Sequence, residues 1–154
     1  MYASYINRLT EDGPVADGRE EPAGLALDIL GNIYVTGETH SSGFPVTGNA
    51  YDGSFTTSNQ RDCFIFKLYP GTSSASMLLY SSFFGGDQHV PSGLTETGNR
   101  GRSLEFISKG TYRNKLLVGG ATTTSDFPTT SGVVFGSWFS GDLVQGWVSV
   151  HDPN

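Results

Sequence analysis

The apolar residues of this chain come in short bursts, and no window of eleven or more residues carries a helical period free of Gly or Pro. The bursts predict strands at Tyr2–Ile6, Gly24–Asp28, Asn32–Gly37, Asp62–Tyr69, Met77–Phe84, Ser103–Ile107, Lys115–Ala121 and Gln145–His151. Turn chemistry separates them. Leu30-Gly31-Asn32 supplies residues that tolerate positive φ, and Pro70-Gly71 is a strong reverse-turn pair. In the burst from Asp62, residues Cys63, Ile65 and Tyr69 point one way, and Phe64, Phe66 and Leu68 the other. A strand that is apolar on both faces belongs between neighbouring sheets rather than on a half-wet surface.

The bursts also repeat. Ile33-Tyr-Val-Thr-Gly37 and Phe44-Pro-Val-Thr47 return as Leu116-Leu-Val-Gly-Gly120 and Phe127-Pro-Thr-Thr130, an offset of 83. Cys63 to Pro70 answers Gly146 to Pro153 at the same offset, and Tyr2-Ala-Ser-Tyr-Ile6 answers Tyr80-Ser-Ser-Phe-Phe84 at 78. Such recurrence marks a repeat architecture, in which no unit buries its own apolar face alone. Phe44, Phe64, Phe66, Phe127 and Trp147 are expected to be buried between two sheets, with Tyr51 against Phe44. Gly37 and Gly120 are expected to end their strands and allow a bend.

The unit Leu25-Ala-Leu-Asp-x-x-Gly-Asn-Ile-Tyr-Val-Thr-Gly37, Phe44-Pro-x-Thr47, Ala50-Tyr51, Asp62-Cys-Phe-Ile-Phe-Lys-Leu68 and Leu79-Tyr-Ser-Ser-Phe-Phe-Gly-Gly86 resembles the bacterial β-propeller repeat called SBBP. The second unit is degenerate: Lys109 to Asn114 replaces the short Asp-x-x-Gly-Asn turn, and Gln145-Gly146 replaces Asp62-Cys63. The resemblance implies an all-β fold of four-stranded antiparallel propeller blades, two blades' worth in one segment spanning 1–154, with an offset closing strand. Residues 24–84 would form blade one, with strands A 24–28, B 32–37, C 62–69 and D 77–84. Residues 103–151 would form three strands of blade two. Residues 2–6 would be a closing D strand, covering an edge that is otherwise an aggregation hazard. Two blades do not close a ring. The expected partners are therefore other copies of the chain in a ring assembly, or the remainder of a larger propeller.

Composition narrows the function. The formal net charge is −6 with no basic run, which excludes nucleic acid and anionic membrane as expected partners. No apolar stretch reaches the roughly 18 residues of a membrane-inserted helix. Charged residues are 16 %, and Gly is frequent at 21, as suits closely spaced turns. The single cysteine, Cys63, lies in an apolar strand and is expected to be a buried, inert thiol. Met1-Tyr-Ala-Ser-Tyr has neither a basic start nor an apolar h-region, so no signal peptide is expected in this chain. The resemblance implies an extracellular or bacterial-surface setting.

The long loops 7–23, 38–61, 85–102 and 122–144 would gather on one end of the blades, where binding usually resides. Candidate ligand-binding residues there are Phe55 and Trp138, which correspond at offset 83, with His40, Asp87 and His89. Each has a plainer reading: anchoring rings for the aromatics, surface groups for the others. No metal-ligand spacing and no cofactor motif appears, and no catalytic residue is expected. Arg61, Arg100, Arg102 and Arg113 are scattered over loops and a turn, without the clustering that a carboxylate-binding hydrolase needs. The leading expectation is a non-catalytic binding module for a protein or glycan ligand. The alternatives are an oligomeric glycan-binding lectin and a propeller hydrolase with its site on the long-loop face.

Overall fold

The computed structural model describes residues 19–55, 61–71, 77–88, 97–134, 136–138 and 144–153. Seven strands form two antiparallel sheets, each a simple meander. Sheet one contains β1 (Glu20–Leu27), β2 (Ile33–Thr39), β3 (Asp62–Leu68) and β4 (Leu78–Phe84) in that order. Sheet two contains β5 (Asn99–Ile107), β6 (Lys115–Thr122) and β7 (Gln145–His151). Among the described residues there is no helix, and the two sheets are partial propeller blades that do not close on each other. The expected closing strand, residues 2–6, lies outside the described residues.

Pairing shows that the two sheets are copies. Val35 pairs with Leu25 and with Phe66; Val118 pairs with Leu104 and with Ser149. From β2 to β3 the correspondence runs at offset 83. For β1 against β5 it drops to 79, so Leu25 matches Leu104 and Leu27 matches Phe106. The longer turn around Lys109 to Asn114 accounts for the difference. It is closed by Asn114, at φ 64, whose N–H donates to Ile107 O at 2.7 Å. In sheet one the same turn is short, and Asp28 organises it. One carboxylate oxygen accepts from Leu30 N and Asn32 N, and the other from Asn32 Nδ2 and the Tyr34 hydroxyl.

β1 and β5 both start four residues before the strands expected at Gly24 and Ser103, and each carries a bulge: Pro22/Gly24 in β1 and Gly101/Ser103 in β5. This corrects the reading of Gly37 and Gly120. Neither ends its strand; Gly37 lies opposite Pro22, and Gly120 opposite Gly101. A Cβ on Gly37 would run into Glu21 O, and one on Gly120 into Arg100 O. The bulge pushes a carbonyl into the space that a side chain would fill.

The core has two parts. Between the sheets lie Tyr34, Cys63, Ile65, Tyr80, Phe84, Leu116 and Val118, with Leu104, Phe106, Phe127 and Trp147 packed against them. Cys63 is fully buried there and faces sheet two. On the far side of sheet one lie Val35, Phe44, Phe64, Phe66 and Phe83, with Ile33, Phe55, Leu68 and Leu78. Of the five rings expected between the sheets, only Phe127 and Trp147 are there. Phe44, Phe64 and Phe66 are buried on the opposite face, where the loop after β2 folds back as a cover.

The alternation of β3 explains the split, since successive residues must face opposite sides. The repeat survives at the level of pairs: Phe44 stacks on Phe64 at 4.7 Å, and Phe127 on Trp147 at 5.1 Å. Tyr51 packs on Phe84 at 5.7 Å rather than on Phe44, because the Asp52–Phe83 bridge holds that loop beside β4.

Candidate functional site

Where the loops root

The ends of β2, β4 and β6 and the starts of β1, β3, β5 and β7 converge at one end of the two sheets. The long loops leave from there. A buried polar network occupies this end instead of apolar packing. Arg61 Nη1 donates to Glu38 Oε1 at 2.6 Å, and both side chains are almost fully buried. Arg100 Nε lies 3.4 Å and Arg102 Nη2 3.9 Å from Glu38 Oε2. The sequence reading of scattered arginines is therefore corrected: three of the four meet at one carboxylate. Arg100 and Arg102 are two residues apart on β5, and β5 lies across β2, which carries Glu38. Arg113 remains in the turn at the opposite end.

Beside this pair, Asn99 is the hub of a second network that joins the sheets. Its Nδ2 donates to Asp62 Oδ1 at 3.0 Å and to Gly86 O at 2.9 Å. Its Oδ1 accepts from Thr122 Oγ1 at 2.7 Å and Thr124 Oγ1 at 3.2 Å. Arg61 O accepts from Asn99 N, and Gly98 N donates to Thr123 Oγ1. Both side-chain polar atoms of Asn99 thus have partners, which burial requires. The loop after β4 is tied to the loop after β6 as well. Asp126 accepts from the N–H groups of Asp87 and Gln88, and Ser125 N donates to Gln88 O.

The candidate residues are distributed around this base. Phe55 is partly buried and meets the edge of Phe83 at 5.5 Å. Trp138 is partly buried in the loop before β7. His40 follows β2, and its N–H donates to Arg19 O. The exposed Asp87 is held by its backbone at Asp126. His89 lies outside the described residues. The described structure thus brings Asp87 close to the Asp62–Asn99 network and keeps Phe55 at the cover of sheet one. Sequence reasoning missed Glu38, Asp62, Asn99, Thr122 and Thr124. A polar run at the end of an apolar strand, Gly37-Glu-Thr-His40 and Ala121-Thr-Thr-Thr124, was the signal available.

His151, at the opposite end of β7, sits edge-on to Phe84 at 4.3 Å and hydrogen-bonds Ser149 Oγ at 2.7 Å. Burial pushes its pKa down to about 4, so the ring is neutral at pH 7. This is a packing position between the sheets, equivalent to Leu68. Burial also pushes the Cys63 thiol up to about 12, which makes it a poor nucleophile. Among the described residues, no group of three or more His, Cys, Asp or Glu is placed to hold a metal. Nor is any helix long and apolar enough to cross a membrane.

Relation to known proteins

Meandering antiparallel sheets, stacked in repeat and joined by long loops at one end, define the class: a β-propeller segment. Residues 21–45 match the family model described as SBBP, a beta-propeller repeat. The matched stretch covers nearly all of β1, all of β2 and the Phe44-Pro45 segment. No curated protein and no solved structure matches the chain.

Proposed function

We propose that this chain is a non-catalytic interaction module of the β-propeller type, displaying loops on a rigid double-sheet base for a protein or glycan ligand. The observation that carries the reading is the fate of the buried carboxylates under the loops. Glu38 is bonded to Arg61 and flanked by Arg100, and Asp62 is bonded to Asn99 and its own strand. Both hold the scaffold, as charges buried in low dielectric must. A hydrolase would aim such groups outward at a substrate. The resemblance to the SBBP repeat supports a secreted or bacterial-surface setting. It also supports completion of sheet two, whose β7 is an edge strand among the described residues, by the segment Tyr2–Ile6, which repeats β4 in sequence, whether from this chain, another copy or the remainder of a larger propeller.

The test is binding without turnover. The chain is immobilised and challenged with a panel of soluble glycans and peptides, and the same panel is assayed for hydrolysis. Saturable binding that Trp138→Ala or Asp87→Ala weakens at least about tenfold, a loss of roughly 1.4 kcal/mol, is the expected result. Product formation from any panel member overturns the reading.

A further inference from the structure

Sheet one and sheet two present the same front surface, yet the front of sheet one is left open along β1. The front of sheet two carries Leu104, Phe106, Val118 and Trp147, and it packs on the back of sheet one, made of Tyr34, Cys63 and Ile65. The contact includes Phe106 stacked on Tyr34 at 5.7 Å. It is close enough that a Cβ on Gly24 would sit 2.8 Å from Leu104 N. The residues of sheet one that match Leu104 and Phe106 are Leu25 and Leu27. They are 66 % and 59 % exposed. The loop bearing Phe44 covers the rest of that front but stops short of β1.

The back of sheet two is exposed in turn. Leu117 stands where sheet one has Tyr34, and Val148 where it has Ile65; Leu117 and Val150 face each other across the β6–β7 pair. All three are exposed, Val148 at 71 %. The molecule therefore carries two apolar flanks on opposite sides, and they are the two halves of the interface it has already formed internally. In that interface β5 lies across β1, β2 and β3.

We propose that a second copy of this chain docks head to tail, with the back of its sheet two on the front of sheet one of the first. Leu117 of the second copy then sits on Leu27 as Tyr34 sits on Phe106, and β1 lies across β5, β6 and β7 of that copy. Two exposed aliphatic patches are removed from water at the usual rate of roughly 25 cal/mol per Å². Because the two flanks differ, the contact is heterologous and propagates from copy to copy. The inference rests on reading the chain as a propeller-type module, and it names the partner.

The test uses the full chain, light scattering after size exclusion over a hundredfold concentration range, and two surface variants. Wild type is expected at two or more times the chain mass. Leu27→Arg and Val148→Arg each alter only an exposed flank and are each expected at the single-chain mass. Each variant keeps the flank that the other has lost, so an equimolar mixture is expected to form a dimer and nothing larger. Wild type at single-chain mass throughout overturns the proposal, as does either variant assembling like wild type or a mixture that stays monomeric. Thiol labelling of native Cys63 separates the two levels. A protected Cys63 in a monomeric chain removes only the self-association, whereas rapid labelling removes the stacked module as well.

Discussion

Replacing Phe84 with alanine should release sheet two from sheet one. Phe84 is the ring through which β4 meets the second sheet. It lies 5.2 Å from Phe127, 5.3 Å from Trp147 and 4.3 Å from His151, with Tyr51 at 5.7 Å on its outer side. The side chain is 5 % exposed, so truncation leaves a cavity as well as lost transfer energy. Truncation of a buried Phe costs about 3–5 kcal/mol. Three or four ring contacts, each contributing 0.5–1.5 kcal/mol, place this site at about 4 kcal/mol. That is a large share of the roughly 5–15 kcal/mol that holds a domain together, and at this chain length it lowers Tm by about 10–15 °C.

The control is the adjacent residue. Phe83 is as buried as Phe84, but it packs on Phe44 and Phe55 in the outer cluster. Urea melts followed by circular dichroism measure both losses, while indole fluorescence and Cys63 labelling in native buffer report where each loss acts. Phe84→Ala should shift the Trp147 emission and speed Cys63 labelling. Phe83→Ala should lower stability comparably with less effect on either probe. Equal effects of the two variants on both probes would refute the division of the core into two clusters.

Native wild-type Cys63 should react with a thiol reagent far more slowly than the denatured chain, because it is fully buried and its thiol is held protonated. His151 should make stability depend on pH in one window. The unfolded ring takes up a proton below about pH 6.5 and the folded ring only below about 4, so this contribution is complete above 6.5 and falls as pH drops towards 4. The loss amounts to about 3 kcal/mol, and His151→Leu, which installs the residue found at the equivalent Leu68, should flatten that part of a urea-midpoint profile. Glu38→Gln should cost about 3–5 kcal/mol in a urea melt, because Arg61 is left buried without its carboxylate. Gly120→Ala should destabilise by more than about 1 kcal/mol, since the added Cβ meets the bulge carbonyl of Arg100.

The fold was largely legible in the sequence, because strand periodicity and the 83-residue recurrence are both written in apolar side chains. β3 shows this best: alternation alone separated Cys63 and Ile65 from Phe64 and Phe66. What alternation does not state is which face meets the neighbouring sheet. That depends on the stacking direction, so Phe44, Phe64 and Phe66 were misplaced while Cys63 was not. The polar end was illegible for a different reason. Arg61 lies just before β3 while Arg100 and Arg102 lie on β5, and their meeting depends on how β5 crosses sheet one, which leaves no mark in composition. Asn99 and Thr122 act as a hub only because two sheets meet there.

The stacking of the two repeats, front of the second on back of the first, is tested most directly by aromatic nuclear Overhauser contacts in the labelled full chain. Cross-peaks between Phe84 and Trp147 and between Tyr34 and Phe106 are expected, since their ring centroids lie 5.3 Å and 5.7 Å apart. The intrasheet Phe44–Phe64 contact at 4.7 Å serves as the positive control. Presence of the control with absence of both intersheet peaks would contradict the stacked arrangement.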